Sequence, residues 1–178
     1  MRGTVDLVLT LGADDITKIK SWVNVSYGLH YDCKIHTGGV MSWGWGVLLN
    51  KCQKQKLNSK SSTEAEIVGV RDYLPNVMWT RMFLEAQGFK IEENIPFRDN
   101  QSAIKIEENG KASIGQKTKH MDNRYLWIKD MLKYEGIKVE YFPTEKMIAD
   151  FFTKVLQGDL FKKNQRHYAR LQTYHYST

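Results

Sequence analysis

The sequence contains few of the residues that mark secreted or membrane proteins. Only two cysteines, Cys33 and Cys52, occur in 178 residues, and they do not form a CxxC pair. This scarcity argues against a disulfide framework or a zinc site and favours free thiols in a reducing compartment. No apolar run approaches the roughly 20 residues of a membrane-spanning helix, and the first residues lack the apolar stretch of a signal peptide. We therefore expect an intracellular protein, cytoplasmic or nuclear, that is not secreted and has no membrane partner.

Proline is also scarce, with three residues, and neither a repeat nor a low-complexity tract is present. The hydrophobic fraction of 42% is ordinary for a globular chain and excludes wholesale disorder. The length of 178 residues suits one domain with extensions. Lysine and arginine outnumber aspartate and glutamate by 26 to 20, for a net charge of +6. This balance suits a polyanionic partner such as nucleic acid.

Hydrophobic periodicity predicts the element order βββ-α-β-α-α-β-α. Three strands come first, joined by glycine turns at Gly38-Gly39 and at Gly44-Trp45-Gly46. Ser61-Ser62-Thr63 then caps a long helix, in which Pro75 predicts either a kink or two abutting helices. Further strands are expected over 95–98 and 137–142, and helices over 102–107, 122–134 and 144–150. The predicted fold class is α/β, with a five-stranded mixed sheet of three antiparallel and then two parallel strands, flanked by helices.

Three acidic residues stand where predicted elements begin or end. Glu64 opens the long helix, Asp99 follows the fourth strand, and Asp150 lies in a late helical turn. Because ligands bind beyond the carboxyl ends of strands in open α/β sheets, these acids can converge. Converging carboxylates suit hard, oxygen-preferring cations such as Mg²⁺. Each acid taken alone is equally well explained as a surface charge or a helix-end group.

Two further residues qualify this prediction. The first strand carries Asn24 where a two-metal site would need a fourth carboxylate. An amide oxygen can ligate Mg²⁺, but it is neutral and cannot bridge two cations. Glu66 follows Glu64 by two residues, which turns its side chain by roughly 200° on a helix. We therefore expect Glu64 to face the site and Glu66 to face away from it.

The sequence resembles the ribonuclease H domain of copia-type LTR retrotransposon polyproteins in four successive motifs. These are Ser61-Ser62-Thr63-Glu64-Ala65-Glu66, Asp99-Asn100-Gln101-Ser102-Ala103, Thr118-Lys119-His120-Met121-Asp122-Asn123-Arg124-Tyr125 and Ala149-Asp150-Phe151-Phe152-Thr153-Lys154. The resemblance implies a ribonuclease H-like fold for residues 19–156. It further implies that residues 1–18 are a remnant of the reverse transcriptase connection. Residues 157–178 form a basic aromatic tail without a clear period, and the sequence leaves its order open.

The same resemblance implies Mg²⁺-dependent hydrolysis of the RNA strand of RNA–DNA hybrids, with two ions in an intact site and Mn²⁺ as a substitute. Glu64, Asp99 and Asp150 match the metal-binding acids of the family, and Asn24 stands where the family has its first catalytic Asp. That departure predicts weakened metal binding and strongly reduced cleavage. The implied partners are an RNA–DNA hybrid and the reverse transcriptase domain of the parent polyprotein, with no small-molecule cofactor.

Basic and polar residues near the acids predict contacts to a duplex. Asn100 and Gln101, beside Asp99, are placed to reach 2′-hydroxyl groups, which distinguish RNA from DNA. The lysines predicted to contact phosphates are Lys54, Lys56, Lys60 and Lys119. A solvated loop is the alternative for the lysines, and the roles of His120 and Asp122 stay open between metal pair, proton shuttle and helix cap. Two rival functions also stay open: a catalytically dead nucleic-acid-binding module, and a functionless relic of a decayed element.

Overall fold

The computed structural model describes residues 8–27, 35–56, 59, 61–109, 122–134 and 136–169. In these ranges the strands are β1 (Gly12–Ala13), β2 (Lys18–Ser26), β3 (His36–Ser42), β4 (Gly44–Trp45), β5 (Leu49–Lys54), β6 (Glu93–Arg98) and β7 (Glu140–Tyr141). The helices are α1 (Ser62–Ala86), α2 (Gln101–Asn109), α3 (Asp122–Tyr134) and α4 (Gly158–Ala169). Two short 3₁₀ turns, Thr144–Lys146 and Ile148–Phe152, lie between β7 and α4.

The main sheet has the strand order β5-β3-β2-β6-β7. The strands β5, β3 and β2 pair antiparallel, whereas β6 is parallel to both β2 and β7. This arrangement confirms the predicted five-stranded mixed sheet. In the parallel pair, Trp22 lies opposite Phe97. Beyond this pair, Asn24 lies near the carboxyl end of β2, and Asp99 directly follows β6.

Side chains that alternate along β2 divide the core between the two faces of the sheet. Ile19 and Val23 pack against the apolar face of α1. The same core cluster contains residues of α2 and α3. Trp22 points to the opposite face, where it joins Phe97 and the 3₁₀ turn around Ala149. The carboxyl edge of β2 and β6 therefore lies between α1 on one face and this 3₁₀ turn on the other.

Helix α1 begins as the sequence predicts and continues through its proline. The Ser61 hydroxyl accepts a hydrogen bond from the backbone N–H of Glu64 (3.1 Å), which caps the helix. Pro75 lies inside one helix of 25 residues, so the alternative of two abutting helices is wrong. Lys51 Nζ donates to the Asp72 carbonyl oxygen (2.7 Å), which gives the turn before Pro75 a hydrogen bond from outside the helix.

The prediction of a glycine turn at Gly38-Gly39 is wrong, because both residues lie inside β3. An added Cβ on Gly39 would lie 2.1 Å from Tyr73 Cε2, and one on Gly38 would lie 2.8 Å from the Ala149 carbonyl oxygen. These two residues thus allow α1 and the second 3₁₀ turn to contact opposite faces of the strand directly. The glycines are needed here for close packing rather than for chain reversal.

The C-terminal part differs from the prediction in three places. The strand expected over 137–142 is reduced to Glu140–Tyr141, with an isolated bridge between Asn94 and Ile137. The helix expected over 144–150 is replaced by the two 3₁₀ turns. Helix α4 occupies part of the tail, where the Phe151 ring lies 5.4 Å from that of Phe161 and 5.7 Å from that of Tyr168. Aromatic packing therefore orders a segment in which the sequence shows no period, and the domain boundaries stay predictions.

Two compositional expectations concern thiols and membranes. Cys52 forms no disulfide and belongs to the exposed residues, although the partial loss of water around its thiol raises the thiol pKa. Cys33 lies outside the described residues. Across the described ranges, none of the helices combines the length and apolar character needed to cross a membrane.

Replacing Gly39 by alanine should lower the free energy of unfolding by about 1–3 kcal/mol, because the new methyl group overpacks the buried Tyr73 ring. Urea denaturation measures this change. Gly12→Ala is the matched control, since its Cβ would meet Trp45 at an ordinary 3.6 Å and should leave stability nearly unchanged. A Gly39→Ala protein as stable as the control would contradict the close packing of α1 on β3.

Candidate active site

An open depression at the carboxyl edge of the sheet brings together polar residues from several elements, among them Tyr141 of β7. The end of β2, the end of β6, the start of α1, the start of α2 and the segment after the second 3₁₀ turn all contribute to it. The lining residues are Asn24, Val25, Glu66, Asp99, Asn100, Gln101, Ser102, Tyr141 and Lys154. This is the edge where sequence reasoning places the acids, and both Asn24 and Asp99 are found there.

Asn24 is buried at the base of the depression, with 3% of its surface exposed. Its Nδ2 donates to Asp150 Oδ1 and, at 3.3 Å, to Thr153 Oγ1. Its Oδ1 accepts the backbone N–H of Val25 (2.7 Å). The amide therefore presents a donor to the Asp150 carboxylate. An aspartate at this position would present a second negative charge instead, and a cation between the two groups or a proton on one of them would have to offset it.

Asp150 is held by partners on both of its oxygens. Oδ2 forms an ion pair with Lys154 Nζ (2.6 Å), one helical turn later, and Oδ1 accepts from Asn24. Burial raises the pKa of the Asp150 carboxyl, and the charge of Asp99 adds to the rise, whereas the hydrogen bonds from Lys154 and Asn24 lower it. The protein itself thus supplies both a cation and a neutral donor to this carboxylate.

Glu66 lines the depression and Glu64 does not, so the expected orientation of the two residues is wrong. The phase of α1 explains the difference. Glu66, Val70, Tyr73 and Val77 are buried and stand at positions i, i+4, i+7 and i+11, which share one helix face. Glu64 is only half-buried, in the first turn. This spacing is visible in the sequence and would have identified Glu66.

Glu66 is paired with the guanidinium group of Arg98. Arg98 Nη2 lies 2.7 Å from Glu66 Oε2 and donates to the Glu66 carbonyl oxygen at 3.2 Å. Both side chains are buried, with 0% of Arg98 and 9% of Glu66 exposed. Sequence reasoning does not single out Arg98, although it directly precedes Asp99.

Asp99 and its two neighbours occupy the rim of the depression. Asp99 Oδ2 accepts a hydrogen bond from Thr144 Oγ1 (3.2 Å). Asn100 caps α2, since its Oδ1 accepts the backbone N–H of Ala103 (3.0 Å). Gln101 is exposed beside it. Both Asn100 and Gln101 therefore lie at the site, as the sequence places them.

The predicted basic residues are less closely associated with the depression. Lys54 ends β5, two strands away from β2, and Lys56 follows it; both are exposed and neither lines the depression. Lys60, Lys119 and His120 lie outside the described residues, as does the side chain of Asp122. The cation that does line the depression is Lys154, whose i+4 spacing from Asp150 is a signal available in the sequence.

The side-chain oxygens in the depression are not arranged to bind a pair of divalent cations. Within the part of the chain that the structure describes, no group of three or more His, Cys, Asp or Glu side chains converges to hold a metal ion. Asn24 presents its nitrogen to Asp150, and its oxygen is committed to Val25. Glu66 and Asp150 each have a cationic side chain as partner. The carboxylates are thus compensated by the protein.

No family model matches the chain, whereas comparison with known sequences finds a related polyprotein. The retrovirus-related Pol polyprotein from transposon TNT 1-94 of Nicotiana tabacum is 30% identical over 163 residues. That alignment covers 91% of this chain and 12% of the polyprotein. The chain therefore spans only a small part of the length of its relative.

Solved structures with similar folds are ribonucleases H. The RNase H1 of Halobacterium salinarum NRC-1 matches with a TM-score of 0.51 and 10% identity, over 71% of this chain and 86% of that one. The N-terminal RNase H domain of a Mycobacterium tuberculosis protein matches with a TM-score of 0.54 and 13% identity, over 84% and 97%. LC11-RNase H1 in complex with an RNA/DNA hybrid matches with a TM-score of 0.50 and 10% identity, over 72% and 88%. At these identities the likeness concerns the fold. The chain thus has the ribonuclease H fold and is related in sequence to a segment of a retrovirus-related Pol polyprotein from a transposon.

Proposed function

We propose that this chain is the ribonuclease H domain of a copia-type retrotransposon polyprotein that binds RNA–DNA hybrids but hydrolyses their RNA strand poorly. The observation that carries this proposal is the hydrogen bond from Asn24 Nδ2 to Asp150. It supplies a donor where the two-metal chemistry implied by the family would need a carboxylate. The similarity to a Pol polyprotein and to a ribonuclease H solved with an RNA/DNA hybrid supports the choice of substrate.

The residues proposed for the ancestral chemistry are Asp99, Asp150 and Glu66, the last in place of Glu64. Glu66 is preferred because it lines the depression together with Asp99 and Asn24. Asn24 takes the position of the first catalytic acid and is the proposed cause of the reduced cleavage. The proposed cofactor of an intact site is a pair of Mg²⁺ ions, for which Mn²⁺ can substitute.

Charge balance supports reduced rather than full activity. Two divalent ions bring four positive charges, which four carboxylates would match. Here the three carboxylates of Glu66, Asp99 and Asp150 are accompanied by Arg98 and Lys154. The five side chains together carry a net charge of one negative, too little to attract two divalent ions into the site.

Hybrid binding does not depend on those ions. The chain has a net charge of +6, and lysine side chains near a polyanion release counterions from its phosphates. We assign phosphate contacts to Lys54, Lys56, Lys60 and Lys119. Asn100 and Gln101, at the rim of the depression, are proposed to contact the RNA strand through its 2′-hydroxyl groups.

The second candidate function is a nucleic-acid-binding module without any cleavage. The pairing of Glu66 with Arg98 and of Asp150 with Lys154 favours it, because the buried carboxylates are then satisfied without a metal ion. The two candidates differ in one measurable respect, which is whether a carboxylate at position 24 restores cleavage.

The Asn24→Asp variant should cleave a labelled RNA–DNA hybrid in Mg²⁺ faster than the wild-type chain by about tenfold or more, because it restores a charged ligand. Gel analysis of the labelled RNA strand measures the rates. Asn50→Asp, the same change on an exposed part of β5, should cleave no faster than wild type. Equal rates for wild type and Asn24→Asp would contradict the assigned role of Asn24, and absence of cleavage in both would favour the second candidate.

A Lys54→Gln/Lys56→Gln double variant should bind the hybrid more weakly, with a slope of log affinity against log salt that is smaller by about 2. Fluorescence anisotropy over a salt series measures the slope. The matched control is Lys90→Gln/Lys138→Gln, since these exposed lysines lie near the amino ends of β6 and β7, at the other edge of the sheet. An identical slope for both double variants would remove Lys54 and Lys56 from the proposed binding surface.

A further inference from the structure

A buried ion pair underlies the depression and is separate from Asn24. Arg98 is the last residue of β6, and its side chain is completely buried on the face of the sheet that α1 covers. One guanidinium nitrogen contacts both the carboxylate of Glu66 (2.7 Å) and its backbone carbonyl oxygen (3.2 Å). A guanidinium group does not lose its proton in a protein, so this positive charge is permanent.

We propose that Arg98 is the resident counter-ion of Glu66 and that it weakens the binding of a divalent cation at this carboxylate. The inference rests on the proposed function, since it concerns the same site, and it identifies a second obstacle to metal binding. A divalent ion at Glu66 would have to approach a fixed positive charge 2.7 Å from Oε2. If the ion displaced the Arg98 guanidinium from Glu66, a buried arginine would be separated from its ion-pair partner. That separation is strongly unfavourable.

The two obstacles lie on opposite faces of the sheet. Along β6, Phe97 points to the 3₁₀ turn and Arg98 points to α1. Along β2, Asn24 shares the face of Trp22 and contacts Asp150 on the 3₁₀ turn. An Asn24→Asp substitution therefore leaves the pair between Arg98 and Glu66 intact. The two substitutions therefore remove two different obstacles to a divalent ion in the same depression.

Lys154 plays the corresponding part for Asp150. Its ammonium group lies 2.6 Å from Asp150 Oδ2, and 40% of its side chain is exposed in the depression. The carboxylates on the two faces thus have a cationic side chain each, one buried and one at the surface. The exposed partner can move aside, whereas the buried one cannot. Of these two cations, Arg98 is therefore the more firmly fixed.

The experiment is thermal denaturation of the full chain in EDTA and in millimolar Mg²⁺. The wild-type protein should have the same Tm in both solutions. Arg98→Met replaces the cation by an apolar side chain of similar length, which removes the positive charge beside the buried Glu66 carboxylate and lowers the Tm in EDTA. Mg²⁺ should then raise the Tm of this variant by roughly 5 °C or more, because an ion that binds only the native state stabilises it.

A Glu66→Gln/Arg98→Met variant is the matched control. It removes both charges, so it should fold and show no response to Mg²⁺. The proposal is overturned if the wild-type Tm rises with Mg²⁺ as much as that of Arg98→Met. It is equally overturned if Arg98→Met gives no response, or stays unfolded in Mg²⁺ while the control folds.

A measurement of hybrid binding on the same variants distinguishes a failure of this inference from a failure of the proposed function. If Arg98→Met responds to Mg²⁺ but no protein in the series binds an RNA–DNA hybrid, the proposed function fails and the role of Arg98 stands. If wild type binds the hybrid equally well in EDTA and in Mg²⁺ but Arg98→Met shows no Mg²⁺ response, the role of Arg98 fails and hybrid binding stands. Adding Arg98→Met to Asn24→Asp should increase hybrid cleavage further, by about tenfold.

Discussion

The hydrogen bond between the Asn24 amide and the Asp150 carboxylate is the interaction on which the site depends. Asp150 is largely buried, and a buried carboxylate needs either a cation or hydrogen-bond donors. The amide gives a donor without adding charge, so the second 3₁₀ turn can lie against β2 with no ion between them. Gly38, opposite Asn24 on β3, permits this approach because a side chain there would meet the Ala149 carbonyl.

On both faces of the sheet, a cationic side chain of the protein neutralises a carboxylate of the site. Arg98 neutralises Glu66 on the α1 face, and Lys154 neutralises Asp150 on the other. Glu66 is thus fixed to its partner by burial, whereas Asp99 accepts a hydrogen bond from the Thr144 hydroxyl. Under the proposed function, the ribonuclease H fold keeps its shape and its affinity for a polyanion while the chemistry that needs divalent ions is lost. In that proposal hybrid binding rests on surface lysines, whereas hydrolysis would need carboxylates that no protein cation neutralises.

Much of this arrangement is predictable from the sequence, because strand and helix periods and the order of the motifs are local signals. Asn24 and Asp99 meet at one edge of the sheet because they lie at the carboxyl ends of two neighbouring parallel strands. The inward position of Glu66 is also readable from its spacing to Val70 and Tyr73, a signal that the first turn of the helix does not carry by itself. The partner of Arg98 could not be predicted, since it depends on how α1 docks on β6. Helix α4 is likewise held by tertiary aromatic contacts rather than by a local period.

The measurement that tests the central claim most directly is isothermal titration of Mg²⁺, and separately of Mn²⁺, into the wild-type chain without nucleic acid. If Asn24, Arg98 and Lys154 already satisfy the buried carboxylates, the titration should show no saturable binding at millimolar concentrations of either ion. Saturable binding of two ions per chain, lost on substitution of Asp99 by asparagine, would contradict the account, because the site would then accept the ions that its internal partners are said to replace.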